Sequence, residues 1–252
     1  MLLSTDDPPP VTVTNPRGAS PFLLIGDHAG NAVPRALGSL GLTADEMTGH
    51  IAWDIGIAGL GALLSTALNA AFIHQAYSRL VIDCNRDPEA PDAIPAVSDA
   101  ISIPANRDLA PDDRAARVRA IHVPYQAAIA AELARRDATD LSAILVSLHS
   151  FTPAMQGKKR PWQIGVLHSG GDTGFARATL RLLEARGDLY VGDNQPYAMD
   201  GIDHTVPRHA FGARRPYVEI EIRQDLLATP EQQAEWADIL AVLLESAVGE
   251  SG

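Results

Sequence analysis

Residues 143–150 read AILVSLHS, an apolar run interrupted only by Ser147 that ends in a polar pair. Such a run suits a strand covered on both faces, as in a parallel sheet under helices. FLLIGDHAG (22–30) has the same form, and its first polar residues are Asp27 and His28. AFIHQA (71–76), RLVIDC (79–84), WQIGVLHS (162–169), LYVGDN (189–194) and YVEIEIR (217–223) complete the predicted strands. Helical patterns lie between them at 54–70, 112–136, about 173–186 and about 230–247. Pro124 inside the second pattern predicts a kink or a split. Thr229-Pro230 opens the last one as an N-cap followed by a first-turn proline. The alternation predicts one α/β domain over 21–250, a mixed, mainly parallel sheet with helices on both faces. Residues 1–20 are polar and proline-rich and are expected to be an N-terminal tail packed loosely on the surface. The Pro-, Asp- and Ala-rich stretch at roughly 86–112 reads as a long loop, of the kind that is functional or mobile.

The chain of 252 residues is large enough to bury a core without staples. Asp plus Glu number 31 against 20 Lys plus Arg, a net charge of -11. General nucleic-acid binding needs a basic face, so that balance argues against it. An acidic small-molecule substrate is still admitted, because a few local arginines decide that. Cys84 is the one cysteine, which excludes an internal disulfide and agrees with a reducing cytoplasm. The first residues have neither the basic start nor the apolar run of a signal peptide. No stretch approaches the roughly 18 apolar residues of a membrane span, so neither membrane nor nucleic acid is expected as a partner. The oligomeric state is not readable.

Ligands of open α/β sheets bind beyond the carboxyl ends of the strands, and the polar residues collect there. Two predicted strands end in His28 and His149, which together suggest a metal pair. A catalytic zinc site needs three protein donors and an open position; Asp54, at the start of the first predicted helix, is the candidate third. His50 shares its helical face if that helix begins early. Each histidine alone reads rather as a hydrogen-bonded structural residue, and it is the pair, with carboxylates and arginines at neighbouring strand ends, that points to a metal; His74, His122 and His168 read as structural or surface residues. Glu219, Glu221 and Arg223 share one face of their strand. A carboxylate buried there is either a general base or half of a salt bridge, and spacing does not choose between Glu219 and Glu221. Arg79, Asn85 and Arg86 could grip a substrate carboxylate or pair with Asp83 or Asp87. Lys158-Lys159-Arg160 is the only basic run and reads as solvated surface or as an attractor of anions.

Seven segments in order resemble the N-formylglutamate amidohydrolase family: GDHAGNAVP (26–34), HIAWDIG (50–56), YSRLVIDCNR (77–86), SLHSFTP (147–153), GDNQPY (192–197), HTVPRHA (204–210) and VEIEIRQDL (218–226). The resemblance implies a fold similar to the zinc carboxypeptidases. It also implies their order of working parts, matched here by His28, Arg79, Asn85-Arg86, His149, Tyr197 and Glu221. It selects Glu221 over Glu219. Carboxypeptidases place a glutamate ligand three residues after the first histidine, where this chain has Asn31, so the third ligand falls to Asp54. The expected enzyme is then a zinc-dependent amidohydrolase that cleaves N-formyl-L-glutamate or a similar acidic N-acyl amino acid. His28, Asp54 and His149 would hold one zinc ion, Glu221 would be the base, and Arg79 would polarise the carbonyl. Asn85, Arg86, Tyr197 and His209 would bind substrate. Two other readings stay open: a related zinc carboxypeptidase or amidase on another N-acyl amino acid or peptide, and a non-catalytic metal or small-molecule binder on the same fold.

Overall fold

In the computed structural model, which describes residues 1–250, the AILVSLHS run lies in the middle of a seven-stranded sheet as β6 (Ile144–Phe151). Every residue of β6 is buried. Its neighbours β2 (Phe22–Gly26) and β11 (Tyr217–Arg223) run parallel to it. β3 (Ala71–Gln75) continues the parallel set beyond β2, and β1 (Val11–Thr14) closes that edge antiparallel to β3. On the other side, β9 (Ile164–Leu167) pairs antiparallel to β11, with β10 (Val191–Asp193) parallel to β9 at the far edge. Two short hairpins stand apart, β4 (Val97–Ser98) with β5 (Ile101–Ser102) and β7 (Ala154–Met155) with β8 (Lys158–Lys159).

Alternate strand residues point to opposite faces, and here both faces are apolar. Phe22, Leu24, Val146, Leu148, Ile220 and Ile222 pack under α2 (Ile57–Ala67), α5 (Gly174–Arg186) and α6 (Pro230–Glu250). Leu23, Ile25, Leu145 and Tyr217 pack on the opposite side with Ile121, Tyr125 and Ile129. The last two belong to α4 (Val123–Asp137). Helices therefore cover both faces, as the apolar runs required. The short α1 (Ala44–Thr48) has a capping box of Thr43 and Glu46, and Thr229 caps α6 through the Gln232 N–H. Among the described residues, no helix is long and apolar enough to cross a membrane.

Pro124 acts in an unexpected way. α3 (Pro111–Arg117) leads into a π-helical turn at Val118–His122, and α4 follows directly. The Val123 N–H bonds to the Val118 carbonyl, five residues back. The widened turn precedes the proline, which has no N–H to give to the regular ladder.

Two expectations are corrected and a third gains detail. Residues 11–14 are not part of a loose tail but an edge strand of the main sheet. The 86–112 stretch, read as a loop, also holds 3-10 turns and the β4–β5 hairpin, and it walls the cavity at the carboxyl edge of the sheet. RLVIDC is no strand: residues 79–84 run through turns, although Leu80, Val81, Ile82 and Cys84 are buried. Burial alone produced the apolar pattern. Without strand partners, its carbonyls need donors from elsewhere. Asn106 Nδ2 serves Leu80, Arg117 Nη1 serves Val81 and Gln126 Nε2 serves Cys84, at 2.8, 3.0 and 2.9 Å. This explains why Asn106, Arg117 and Gln126 are themselves buried. Asn106→Ala strands the Leu80 and Pro95 carbonyls and removes an acceptor of Arg117. It should cost about 2–3 kcal/mol of stability, read as a lowered urea midpoint at unchanged slope.

Candidate metal centre and its cavity

β2, β6 and β11 are parallel neighbours, so their carboxyl ends share one edge of the sheet, and the polar cluster forms there. His28 lies two residues past β2 in a turn that needs Gly30. A Cβ on Gly30 would sit 2.1 Å from the Ala76 carbonyl oxygen, which accepts the Ala32 N–H at 3.1 Å. The Asp54 N–H donates to the His28 carbonyl at 2.9 Å, and the Ala52 carbonyl accepts the Arg79 N–H and the Ser78 hydroxyl at 3.1 and 2.7 Å. These bonds knit the 28–33, 50–56 and 76–86 loops into one wall. Asp54 precedes α2 rather than starting it. Gly56, at φ 87°, turns the chain into that helix with no room for a side chain against Leu227.

The His28 and His149 rings lie edge to face, 5.0 Å apart. Asp54 Oδ2 is 2.9 Å from His149 Nδ1 and 3.5 Å from His28 Nδ1. One donor atom from each of the three lies within 4.8 Å of the others, and all three residues are buried. The opposite ring nitrogens are anchored. His28 Nε2 bonds to Asp83 Oδ1 at 2.7 Å, while His149 Nε2 lies 3.1 Å from Ser147 Oγ and 3.4 Å from Asp27 Oδ2. A carboxylate behind an imidazole fixes its orientation and raises its basicity as a ligand. His28 Nδ1 is buried with no hydrogen bond. Two imidazoles and a carboxylate that converge around such an atom fit a zinc-like divalent ion with a position left open.

The electrostatics agree. Burial and Arg79 oppose charge on His28, but Asp83 and Asp54 outweigh them and raise its pKa. His149 is raised well above its ordinary value, against its burial, by Asp27 and Asp54. Asp54 is lowered despite burial, by His28 and His149. Asp83 is held well below the usual carboxylate range by Arg79 and His28, again against burial. The site is thus a concentration of negative charge waiting for cationic partners, protons or a metal.

The three residues line a cavity of about 370 Å³ together with Arg79, Asn85, Arg86, Tyr197, Glu219 and Glu221. Glu221 is the register partner of His149 across β11 and β6, so their side chains stand side by side. Its Oε2 is buried with no hydrogen bond. Desolvation, reinforced by Asp54, pushes its pKa up to about 7, with His149 opposing. Neither Glu221 nor Glu219 forms a salt bridge with Arg223, whose guanidinium pairs with Asp225 at 2.8 Å. Arg79 Nη2 bonds to Asp83 at 2.6 Å, and its Nη1 is 3.7 Å from Asp54.

The expected substrate grips differ from the geometry. Asn85 lines the cavity, but its Oδ1 accepts the His204 and Thr205 N–H groups and its Nδ2 donates to Asp203, so its amide braces the 203–205 turn. Arg86 is paired with Asp92 at 3.1 Å and lies 3.8 Å from Asp203. His209 does not line the cavity; it sits behind the wall, its Nε2 2.7 Å from Gln126 Oε1. The Gln126 amide also reaches Thr205 Oγ1, and the Thr205 hydroxyl donates to Asp27 at 2.6 Å, so His209 belongs to the bracing behind His149. His50 pairs with Asp99 at the rim, 3.0 Å away, and is not on a helix with Asp54. Tyr197 is at the mouth, its hydroxyl accepting from Arg160 Nη1 at 2.8 Å, with the guanidinium 4.6 Å above its ring. Arg160 has no carboxylate partner among the described residues, unlike Arg79 and Arg86. The basic run therefore splits: Lys158 and Lys159 are exposed on the β7–β8 hairpin, and Arg160 bonds to the hydroxyl of Tyr197, a cavity-lining residue. Sequence reasoning passed over Asp27 and Thr205 as well. The signal for Asp27 was its place beside His28 at a strand end.

A model of the N-formylglutamate amidohydrolase family matches residues 20–228. A crystal structure of a gene product from Agrobacterium tumefaciens is 38% identical, with a TM-score of 0.95 over 99% of this chain and 98% of that one. The crystal structure of N-formylglutamate amidohydrolase from Ralstonia eutropha shares the fold at 21% identity, with a TM-score of 0.73 over 96% of this chain and 98% of that one. No curated protein sequence matches the chain.

Proposed function

The chain belongs to the N-formylglutamate amidohydrolase family, and from that premise we propose that it is a metal-dependent hydrolase of the amide bond in N-formyl or closely related N-acyl amino acids. One observation carries the reading: Asp54 and the Nδ1 atoms of His28 and His149 converge beside a buried Glu221 carboxyl that has an unpartnered oxygen.

His28, Asp54 and His149 would hold a zinc-like ion. When bound, such an ion supplies a Lewis acid for the amide carbonyl and lowers the pKa of water at the site. Glu221 takes a proton from the attacking water and passes it to the departing nitrogen. The water oxygen bonds to the acyl carbon, the C–N bond breaks, and formate and a free amino acid leave. Arg79, held by Asp83, turns its remaining N–H groups toward the carbonyl oxygen as charge builds there. Tyr197, which lines the cavity, takes the α-carboxylate together with Arg160, which bonds to its hydroxyl and has no carboxylate partner among the described residues.

The test is formate release by the purified chain from a panel of N-formyl amino acids, N-formyl-L-glutamate included. It is run on the metal-loaded protein, after chelation, and after zinc is restored. Release should vanish with the chelator and return with metal. Undiminished release after chelation overturns the metal dependence. Bound metal with no release from any member favours the non-catalytic binder.

A further inference from the structure

Glu219 has no place in the chemistry above, yet it is 2% exposed, lines the cavity and leaves Oε2 with no hydrogen bond. An orphaned buried carboxyl oxygen is costly unless something that binds there satisfies it. Glu219 lies two residues before Glu221 on β11, on the same face and roughly 7 Å farther from the carboxyl end of the strand. Its register partners are Ser147 and Leu167, neither of them cationic. Burial pushes the Glu219 carboxyl up to about 8, with Asp203, Glu221 and Asp27 adding to the rise and His149 opposing it, so a cation seated against it would draw its proton off. The two guanidinium groups that line the cavity are matched elsewhere, Arg79 by Asp83 and Arg86 by Asp92. A second carboxylate brought to Glu219 would find no free cation, whereas an N–H-bearing cation would meet its unpartnered carboxyl oxygen.

Resting on the amidohydrolase reading, we propose that Glu219 is the specificity site for the substrate's side chain, and that it takes a long side chain ending in an ammonium or guanidinium group. The scissile amide lies at His149 and Glu221. The side chain then runs along β11 to Glu219, a span that lysine or arginine covers and a short acidic side chain does not complete.

The test compares kcat/KM of the metal-loaded protein on N-formyl-L-arginine, N-formyl-L-lysine, N-formyl-L-norleucine and N-formyl-L-glutamate. The basic pair should exceed norleucine at least tenfold, and glutamate should be slowest. Glu219→Gln should narrow the lysine-to-norleucine ratio at least tenfold, chiefly through a raised KM for lysine. Glutamate equal to or faster than the basic pair overturns this assignment and leaves the amidohydrolase standing. An unchanged ratio in a folded variant also overturns it, since selectivity would then arise elsewhere. If the variant does not fold, the ranking on the unaltered protein decides alone. Silence on the whole panel, with metal bound, overturns the amidohydrolase reading and this one with it.

Discussion

Glu221→Gln should lower kcat roughly a hundred- to ten-thousand-fold, the range removed with a general acid–base group, while metal content stays at that of the parent. The amide keeps the shape of the carboxyl and cannot accept the proton. Burial favours this replacement, because the amide is neutral where the carboxylate pays for desolvation. The variant should therefore fold at least as well, which separates lost chemistry from lost structure. The pH profile gives a second readout. A base must be unprotonated, so the rate falls as pH drops through its pKa. Burial pushes the Glu221 carboxyl up to about 7, and a cation bound beside it draws that value down. The acid limb of the parent should thus lie between the ordinary carboxylate range and pH 7. Glu221→Asp should keep a limb, and the residual rate of Glu221→Gln should lack one. Turnover in Glu221→Gln above a tenth of the parent, with the limb intact, would remove Glu221 from the reaction and direct attention to Glu219.

The fold was legible because its central strands are buried on both faces. β2 and β6 announce themselves as apolar runs and β11 as apolar residues alternating with Glu219 and Glu221, and their ends mark the edge at which His28, His149 and Glu221 meet. The same signal misled at 79–84, where burial comes from a turn segment whose carbonyls are served by Asn106, Arg117 and Gln126. Apolar content reports burial, not pairing. β1 was illegible for the converse reason: it is an edge strand, two of its four residues are exposed, and its prolines and polar neighbours read as tail. In the site, the residues that line the cavity could be listed from the sequence, but the partners that hold the loop residues could not. Asn85 and Arg86 follow a buried segment, and nothing local says that the 203–205 turn and Asp92 occupy them. His209 was drawn in by resemblance, yet its ring faces Gln126 behind the wall. Arg160 looked like part of a solvated basic run because its stacking on Tyr197 is a contact 37 residues away.

Asp54→Asn should weaken zinc retention at least about 100-fold, beyond the 10- to 100-fold usual for residues that only orient a ligand. The carboxylate is the one anionic member of the converging set, lying between the two Nδ1 atoms. Asparagine keeps its volume and can still bond to the Ser150 N–H that Oδ2 now accepts at 3.3 Å. What it loses is the charge that offsets a divalent ion. Asp83→Asn is the informative partner. Asp83 bonds to His28 Nε2, on the far side of the ring from the metal donors, and also to Arg79. If Asp83 only orients His28, its replacement should cost less zinc affinity than that of Asp54. The resemblance sets Asn31 against the glutamate ligand of carboxypeptidases, but its Nδ2 donates to the Met47 carbonyl. Asn31→Ala should therefore leave zinc retention near that of the parent. Competition against a chelator of known affinity ranks all three variants. A larger loss from Asp83→Asn than from Asp54→Asn would transfer the third ligand to Asp83. A loss from Asn31→Ala matching that of Asp54→Asn would restore the carboxypeptidase arrangement, in which the third donor comes from the turn that carries the first histidine.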